Sequence, residues 1–212
     1  MSNKSLHPTL HPENVSSYSS LVSALEDHRV RGSFVEDTFR VPRTSSGSLL
    51  RPLPAWAGQI TITFDTVQGL FGGRGLPLAF LQSGMAPGGI LRHASDHVFA
   101  NRSPGSVFNI RLSWPGYSQV ECVTGVPIPS PATRVDVAVA VIGQYSQLIA
   151  RAELEGPREK GREGWKLGRG AITIENLILV SVSNGQDGVF EAEIHVVLTR
   201  NDPMAMLAAL RR

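Results

Sequence analysis

Between Gly188 and Asp202 the sequence GVFEAEIHVVLTRND alternates apolar and polar residues with a period of two. Phe190, Ala192, Ile194, Val196 and Leu198 fall on one side, and Glu191, Glu193, His195 and Thr199 on the other. Successive side chains on opposite faces define a strand, and one wet face with one dry face places that strand in a sheet covering a core on one side only. Any fold for this chain must accommodate that strand.

The same period recurs upstream. QITITFDT sets Ile60, Ile62 and Phe64 against Thr61, Thr63 and Asp65. SVFNIRLSW sets Phe108, Ile110, Leu112 and Trp114 against Asn109, Arg111 and Ser113, and QVECVTG follows across the turn PGYS. RVDVAVAVIG places Val135, Val137, Val139 and Val141 at alternate positions, and QLIARAEL and AITIENLILVSVS continue the series. LPLAFL is a further short candidate. About seven or eight short strands, separated by turn residues and not by amphipathic helices, predict an all-β chain folded as a β-sandwich or barrel. The 21 glycines and 14 prolines agree, since they favour turns over long helices.

Residues 1–57 do not share that period. In ENVSSYSSLVSALEDHRV the apolar residues Val15, Tyr18, Leu21, Val22 and Leu25 fall at helical spacing, which predicts a short amphipathic helix over about 13–28. RVPRTSSGSLLRPLPAWAG then reads as extended, because each proline biases its predecessor away from helix. The expected organisation is an N-terminal arm at 1–57, a β-sandwich at 58–202 and a tail at 203–212, with apolar Met204, Met206, Leu207 and Leu210 in the tail.

A formal net charge of +2 excludes a global field strong enough to draw in nucleic acid, so any such binding falls to local patches. Of the basic residues only Lys4, Lys160 and Lys166 are lysines, and arginine is the side chain that grips phosphate bidentately. Cys122 is the single cysteine, which excludes an internal disulfide and a thiolate-rich zinc site. MSNKSLHPTLHPENVSS lacks the apolar core of a signal peptide, and no apolar run reaches the ~20 residues that span a bilayer, so synthesis in a soluble intracellular setting is expected.

Catalytic and cofactor motifs are weak. HASDH puts His93 and His97 four apart beside Asp96, the spacing of a helical metal pair, but its Gly/Pro-rich flanks leave too little helix and no third ligand is evident. GLFGGRG lacks the Gly-Lys-Ser/Thr that completes a phosphate loop, and no Gly-x-Ser-x-Gly elbow occurs. Cys122, at an alternate strand position, reads as an inert thiol. The segment EGPREKGREGWKLGRG reads as a solvated charged loop. These observations predict a protein that is not an enzyme, with no cofactor and no metal.

The turn NGQDG followed by VFEAEIHVVLTRNDP resembles the last strand of single jelly-roll coat proteins of small positive-strand RNA plant viruses, and GSVFNIRLSWPG resembles a mid-barrel strand and turn of that family. The likeness covers residues 58–203 as a pattern of strands. It implies an antiparallel jelly-roll sandwich, self-assembly into a shell in the virion after synthesis in the host cytoplasm, and packaging of viral RNA. The arm departs from the family: its six basic residues (Lys4, Arg29, Arg31, Arg40, Arg43, Arg51) face five acidic ones, where many such coats carry a dense basic tail. On this resemblance Arg29, Arg31, Arg40, Arg43 and Arg51 are the candidate RNA contacts, and Val15, Tyr18, Leu21, Leu25, Met204 and Leu207 the candidate subunit contacts.

Two alternatives share the predicted sandwich. One is a plant-virus movement protein binding single-stranded RNA, although such proteins are richer in lysine. The other is a non-viral ligand-binding sandwich, which calls for aromatic side chains on a concave face. Here Trp56, Trp114 and Trp165 are scattered over the arm, a strand and the charged loop.

Overall fold

The computed structural model describes residues 38–42, 60–67, 75–82, 87–99, 107–159, 162–185 and 188–197. Those residues are mostly β. Seven strands, β1 (Thr38–Arg40), β2 (Thr61–Thr63), β3 (Leu76–Pro77), β4 (Val107–Leu112), β5 (Cys122–Pro127), β6 (Leu177–Asn184) and β7 (Phe190–Val197), form one sheet in the order β2-β6-β7-β4-β5. β1 also pairs with β7 and β3 with β6. The helices are α1 (Leu78–Gln82) and α2 (Arg134–Glu155), with short 3-10 turns between elements.

β7 is the alternating strand of the sequence, and it lies at the centre of the sheet. It runs antiparallel to β6 and to β1 but parallel to β4, where Ile110 faces Phe190 and Arg111 faces Glu191. The sheet is therefore mixed, which corrects the expectation of purely antiparallel pairing. Phe39 in β1 faces Val196, so residues assigned to the arm at 1–57 contribute a strand to the sheet.

One sheet face is apolar. Ile62, Phe108, Ile110, Leu112, Leu179, Val182, Phe190, Ile194 and Val196 join a single core with Val137, Val141, Tyr145 and Leu148 of α2. Where β4 and β7 meet, Phe99, Phe108 and Phe190 pack as a triad with ring centroids 4.9–6.0 Å apart. A core triad of this kind contributes beyond its buried area through edge and offset ring contacts.

Helix α2 replaces two expected strands. RVDVAVAVIG and QLIARAEL, read as strands from their valine alternation, are one helix of 22 residues. Alternation would set Val135, Val137, Val139 and Val141 on one face; instead Val137 and Val141 are fully buried while Val139 is 51% exposed. The buried positions 137, 138, 141, 145, 148 and 152 recur at three and four, the helical period. Thr133 starts the helix with a capping box: its hydroxyl receives the Asp136 N–H, and the Asp136 carboxylate receives the Thr133 N–H at 2.7 Å. Gly156, at φ +70°, ends it by bonding its N–H to the Ala152 carbonyl. One sheet face thus packs on a helix, and no second sheet facing it occurs among the described residues.

LPLAFL splits between β3 and α1. The second half of the expected solvated loop is tied down. Trp165 is buried, its carbonyl accepts the Trp114 Nε1–H at 2.7 Å, and the Tyr117 hydroxyl accepts the Leu167 N–H at 3.0 Å. Gly116, at φ +85°, sits so close that an added Cβ would lie 2.9 Å from the Arg162 Cβ. Only glycine fits a turn with that backbone and that neighbour.

Candidate functional site

The face of β7 opposite the core carries Glu191, Glu193 and His195, held at fixed positions by the strand period. Arg111 lies beside Glu191 in the parallel β4 register, and its Nη1 donates to Glu191 Oε1 at 3.2 Å. Arg40, register partner of His195, reaches diagonally to Glu193 Oε1 at 3.2 Å. From β6, Ser181 faces Glu193 and donates its hydroxyl to Oε2 at 3.1 Å. His195 Nε2 lies 3.3 Å from Glu193 Oε1. Thus β4 supplies the partner of Glu191, while side chains from three strands, β1, β6 and β7 itself, converge on the partly buried Glu193 carboxylate.

That convergence fixes its charge. The His195 hydrogen bond, with help from Arg40 and Ser181 and against the cost of burial, holds the Glu193 carboxyl down at about 2. A carboxylate so acidic is a poor proton acceptor at neutral pH. The order of groups also differs from that of a hydrolytic triad: Ser181 bonds to the carboxylate and not to the imidazole, so no base is placed to take its proton. The ladder is an arrangement of neutralised charges.

Beside it, the strands β1 and β4 share one side of β7 and leave a gap. Val41, Pro42, Arg111, Ser113, Tyr145, Glu191, Ala192 and Ile194 line a cleft of about 20 Å³. That volume admits a water molecule, which the Arg111–Glu191 pair and Ser113 are suited to bind.

His93 and His97 do not share a helix face, because HASDH forms a run of turns in which His93 takes φ +58°. His93 Nδ1 lies 3.5 Å from Asp96 Oδ2, and His97 bridges Thr133 ahead of α2. Among the described residues no group of three His, Cys, Asp or Glu side chains is placed to hold a metal ion, and no helix is long and apolar enough to cross a membrane. Cys122, half-buried on β5, has its sulfur 3.5 Å from the Thr124 hydroxyl. Arg158, Arg162, Lys166 and Arg169 are exposed around the Trp165 loop, with Arg158 paired to Glu155 at 3.6 Å.

Of the candidate RNA contacts, Arg40 lies in β1 and is engaged with Glu193; Arg29, Arg31, Arg43 and Arg51 lie outside the described residues. The candidate subunit contacts Val15, Tyr18, Leu21, Leu25, Met204 and Leu207 also lie outside them. The polar residues of β7 are legible in the sequence, whereas the partnership of Arg111 and Ser181 with them is not. Those partners come from strands 80 and 12 residues away, and their register is set by the whole sheet.

Fold and ladder together define a mostly β protein: one mixed sheet, apolar on the side of a long helix and charge-paired on the other. No protein-family profile matches the chain. No curated protein and no solved structure matches it either.

Proposed function

We propose that the chain works by association with copies of itself, as a structural subunit and not as an enzyme. The observation that carries this reading is the charge-paired sheet face. Arg111 is matched by Glu191, and Arg40 by Glu193, so a partner covering the face strands no lone charge, the usual obstacle to burying charged surface. The triad-incompatible order of Ser181, Glu193 and His195 supports the non-catalytic half of the reading.

Its most specific form is the coat subunit of a small positive-strand RNA plant virus, supported by the resemblance of the final strand, now β7. That form rests on less than the sequence promised, because two of the strands counted toward a jelly roll are α2. A jelly-roll shell domain would need a second sheet from residues outside the described set. RNA contact falls to Arg29, Arg31, Arg43 and Arg51, since Arg40 is held by Glu193.

Size-exclusion chromatography with negative-stain microscopy, with and without single-stranded RNA, tests both levels. Closed particles support the coat form, and discrete oligomers without particles support association alone. A stable monomer across pH and salt, with no particles in the presence of RNA, sinks the proposal.

A further inference from the structure

Asn184 ends β6, and Gly185 begins the turn into β7. Of the seven asparagines in the chain, Asn184 alone precedes glycine. That pair has a chemistry of its own. The main-chain nitrogen that follows an asparagine can attack the side-chain Cγ and close a five-membered succinimide. Glycine hinders the attack least, because it has no Cβ and its backbone bends freely.

The fold holds both reacting groups. Asn184 Oδ1 accepts the Ile60 N–H at 2.7 Å, and the Asn184 N–H donates to the Ile60 carbonyl at 3.1 Å. Ile60 immediately precedes β2, so this clamp and the pairing of Thr61 with Ser183 and Ile62 with Val182 close the same edge. The nucleophile is engaged too, since the Gly185 N–H donates to the Val189 carbonyl at 2.7 Å. Asn184 is in strand conformation, which keeps the chain extended where ring closure needs it bent. β2 has three residues and lies at one end of the strand order, where a sheet opens most readily.

We propose that Asn184 is a modification site gated by β2: it deamidates when the Ile60 clamp opens and is protected while the clamp is closed. Gly185 N bonds to Asn184 Cγ as its proton passes to solvent; the Cγ–Nδ2 bond breaks, and the nitrogen takes up a proton and leaves as ammonia. Water then opens the succinimide at either carbonyl, giving aspartate or isoaspartate at 184. One water is consumed and one ammonia released, with no oxidant or reductant. Isoaspartate diverts the main chain through the former side chain and lengthens it by one methylene. Asn184 faces Phe190 across the hairpin, and Phe190 packs against Phe99 and Phe108. A longer backbone at that position disturbs the register that keeps Phe190 on the dry face. A brief opening of an edge strand thus becomes a permanent change at the central hairpin, whether or not the chain self-associates.

Peptide mapping by mass spectrometry, on the full chain held in mildly alkaline buffer, measures the reaction. The folded chain should lose the Asn184 amide at least about tenfold more slowly than the same chain in urea. Ile60→Pro removes the N–H that Asn184 Oδ1 accepts and should raise the folded-state rate about fivefold. Trp114→Phe loosens the far side of the sheet from β2 and should leave the rate within about twofold of the parent, which separates opening of β2 from global unfolding. Gly185→Ala should suppress the reaction in urea as well. Its Cβ would meet only the Val189 carbonyl oxygen, at 3.4 Å, so the hairpin tolerates it. The mass gain reports asparagine specifically, since isomerisation of Asp187, which also precedes a glycine, leaves the mass unchanged. Chains carrying isoaspartate at 184 should melt at a lower temperature than unmodified ones.

A folded chain that reacts as fast as the unfolded one overturns the inference, as does a rate that Trp114→Phe raises as much as Ile60→Pro does. So does a folded Ile60→Pro chain that reacts no faster than the parent. If Ile60→Pro does not fold, the parent in buffer, the parent in urea and Trp114→Phe still decide the matter. An unfolded chain that keeps its Asn184 amide overturns the chemical step, and an unchanged melting temperature in modified chains overturns the structural consequence.

Discussion

Trp114 Nε1 donates to the main-chain carbonyl of Trp165 at 2.7 Å, and the two indoles meet edge-on with centroids 6.0 Å apart. Both are buried, so this contact fastens the loop after α2 to the turn after β4. The fastening decides how much of a charged, glycine-rich segment is part of the folded core.

Trp165→Ala is expected to destabilise the chain by about 3–5 kcal/mol, the range for deleting a buried indole. Trp114→Phe keeps most of the packing but leaves the Trp165 carbonyl without this donor, at about 1–3 kcal/mol. Denaturant melts measure both. Limited proteolysis should show cleavage within 157–170 appearing before global unfolding; a loop no more sensitive than in the parent chain would refute the fastening.

The carboxyl of Glu193 is held at about 2 in the folded chain, against an ordinary value of 4.5. Because the folded value is the lower one, the stabilisation is fully present above pH ~4.5 and is lost as the pH falls toward 2. After allowance for solvent screening it amounts to about 1–2 kcal/mol. Glu193→Gln should lower stability at pH 7 and flatten this acid limb. A variant with the same pH slope as the parent between 4.5 and 2 would show that the ladder contributes nothing to acid stability.

Thr133 caps α2 through the Asp136 N–H. Thr133→Ala should cost about 1 kcal/mol, and Thr133→Ser much less, because the hydroxyl rather than the methyl supplies the cap. Circular dichroism with thermal melts checks this; equal loss in the two variants would point to packing of the methyl group instead.

Thr38 Oγ1 is buried and has no hydrogen-bond partner among the described residues. Replacing an unpaired buried hydroxyl with a methyl removes a desolvation cost, so Thr38→Val should raise stability by about 1 kcal/mol. Valine also suits a strand position. A lower denaturation midpoint in Thr38→Val would mean the hydroxyl has a partner in solution.

What the sequence determined by itself is local. A period of two needs no neighbours, so QITITFDT, SVFNIRLSW, QVECVTG, AITIENLILVSVS and the final strand each show a strand, although Ile174–Asn176 form a 3-10 turn ahead of β6, and Phe190, Ile194 and Val196 show which side is dry. The segment 134–155 reads as two strands from its alternate valines and is a helix in the structure, where Thr133 and Asp136 form a capping box and Gly156 with Pro157 follow its end. The alternate valines obscured this, because alanine at the intervening positions is compatible with a buried strand and with a helix alike.

Only the tertiary structure decided which strands adjoin. The parallel pairing of β4 with β7, the entry of Phe39 into the sheet and the convergence of Arg40, Arg111 and Ser181 on the acids of β7 depend on contacts between residues far apart in the chain. Burial of Trp165 is of the same kind. Its flanking charges mark a solvated loop, and only the closing of that loop over Trp114 and Tyr117 supplies the apolar surface that draws it in.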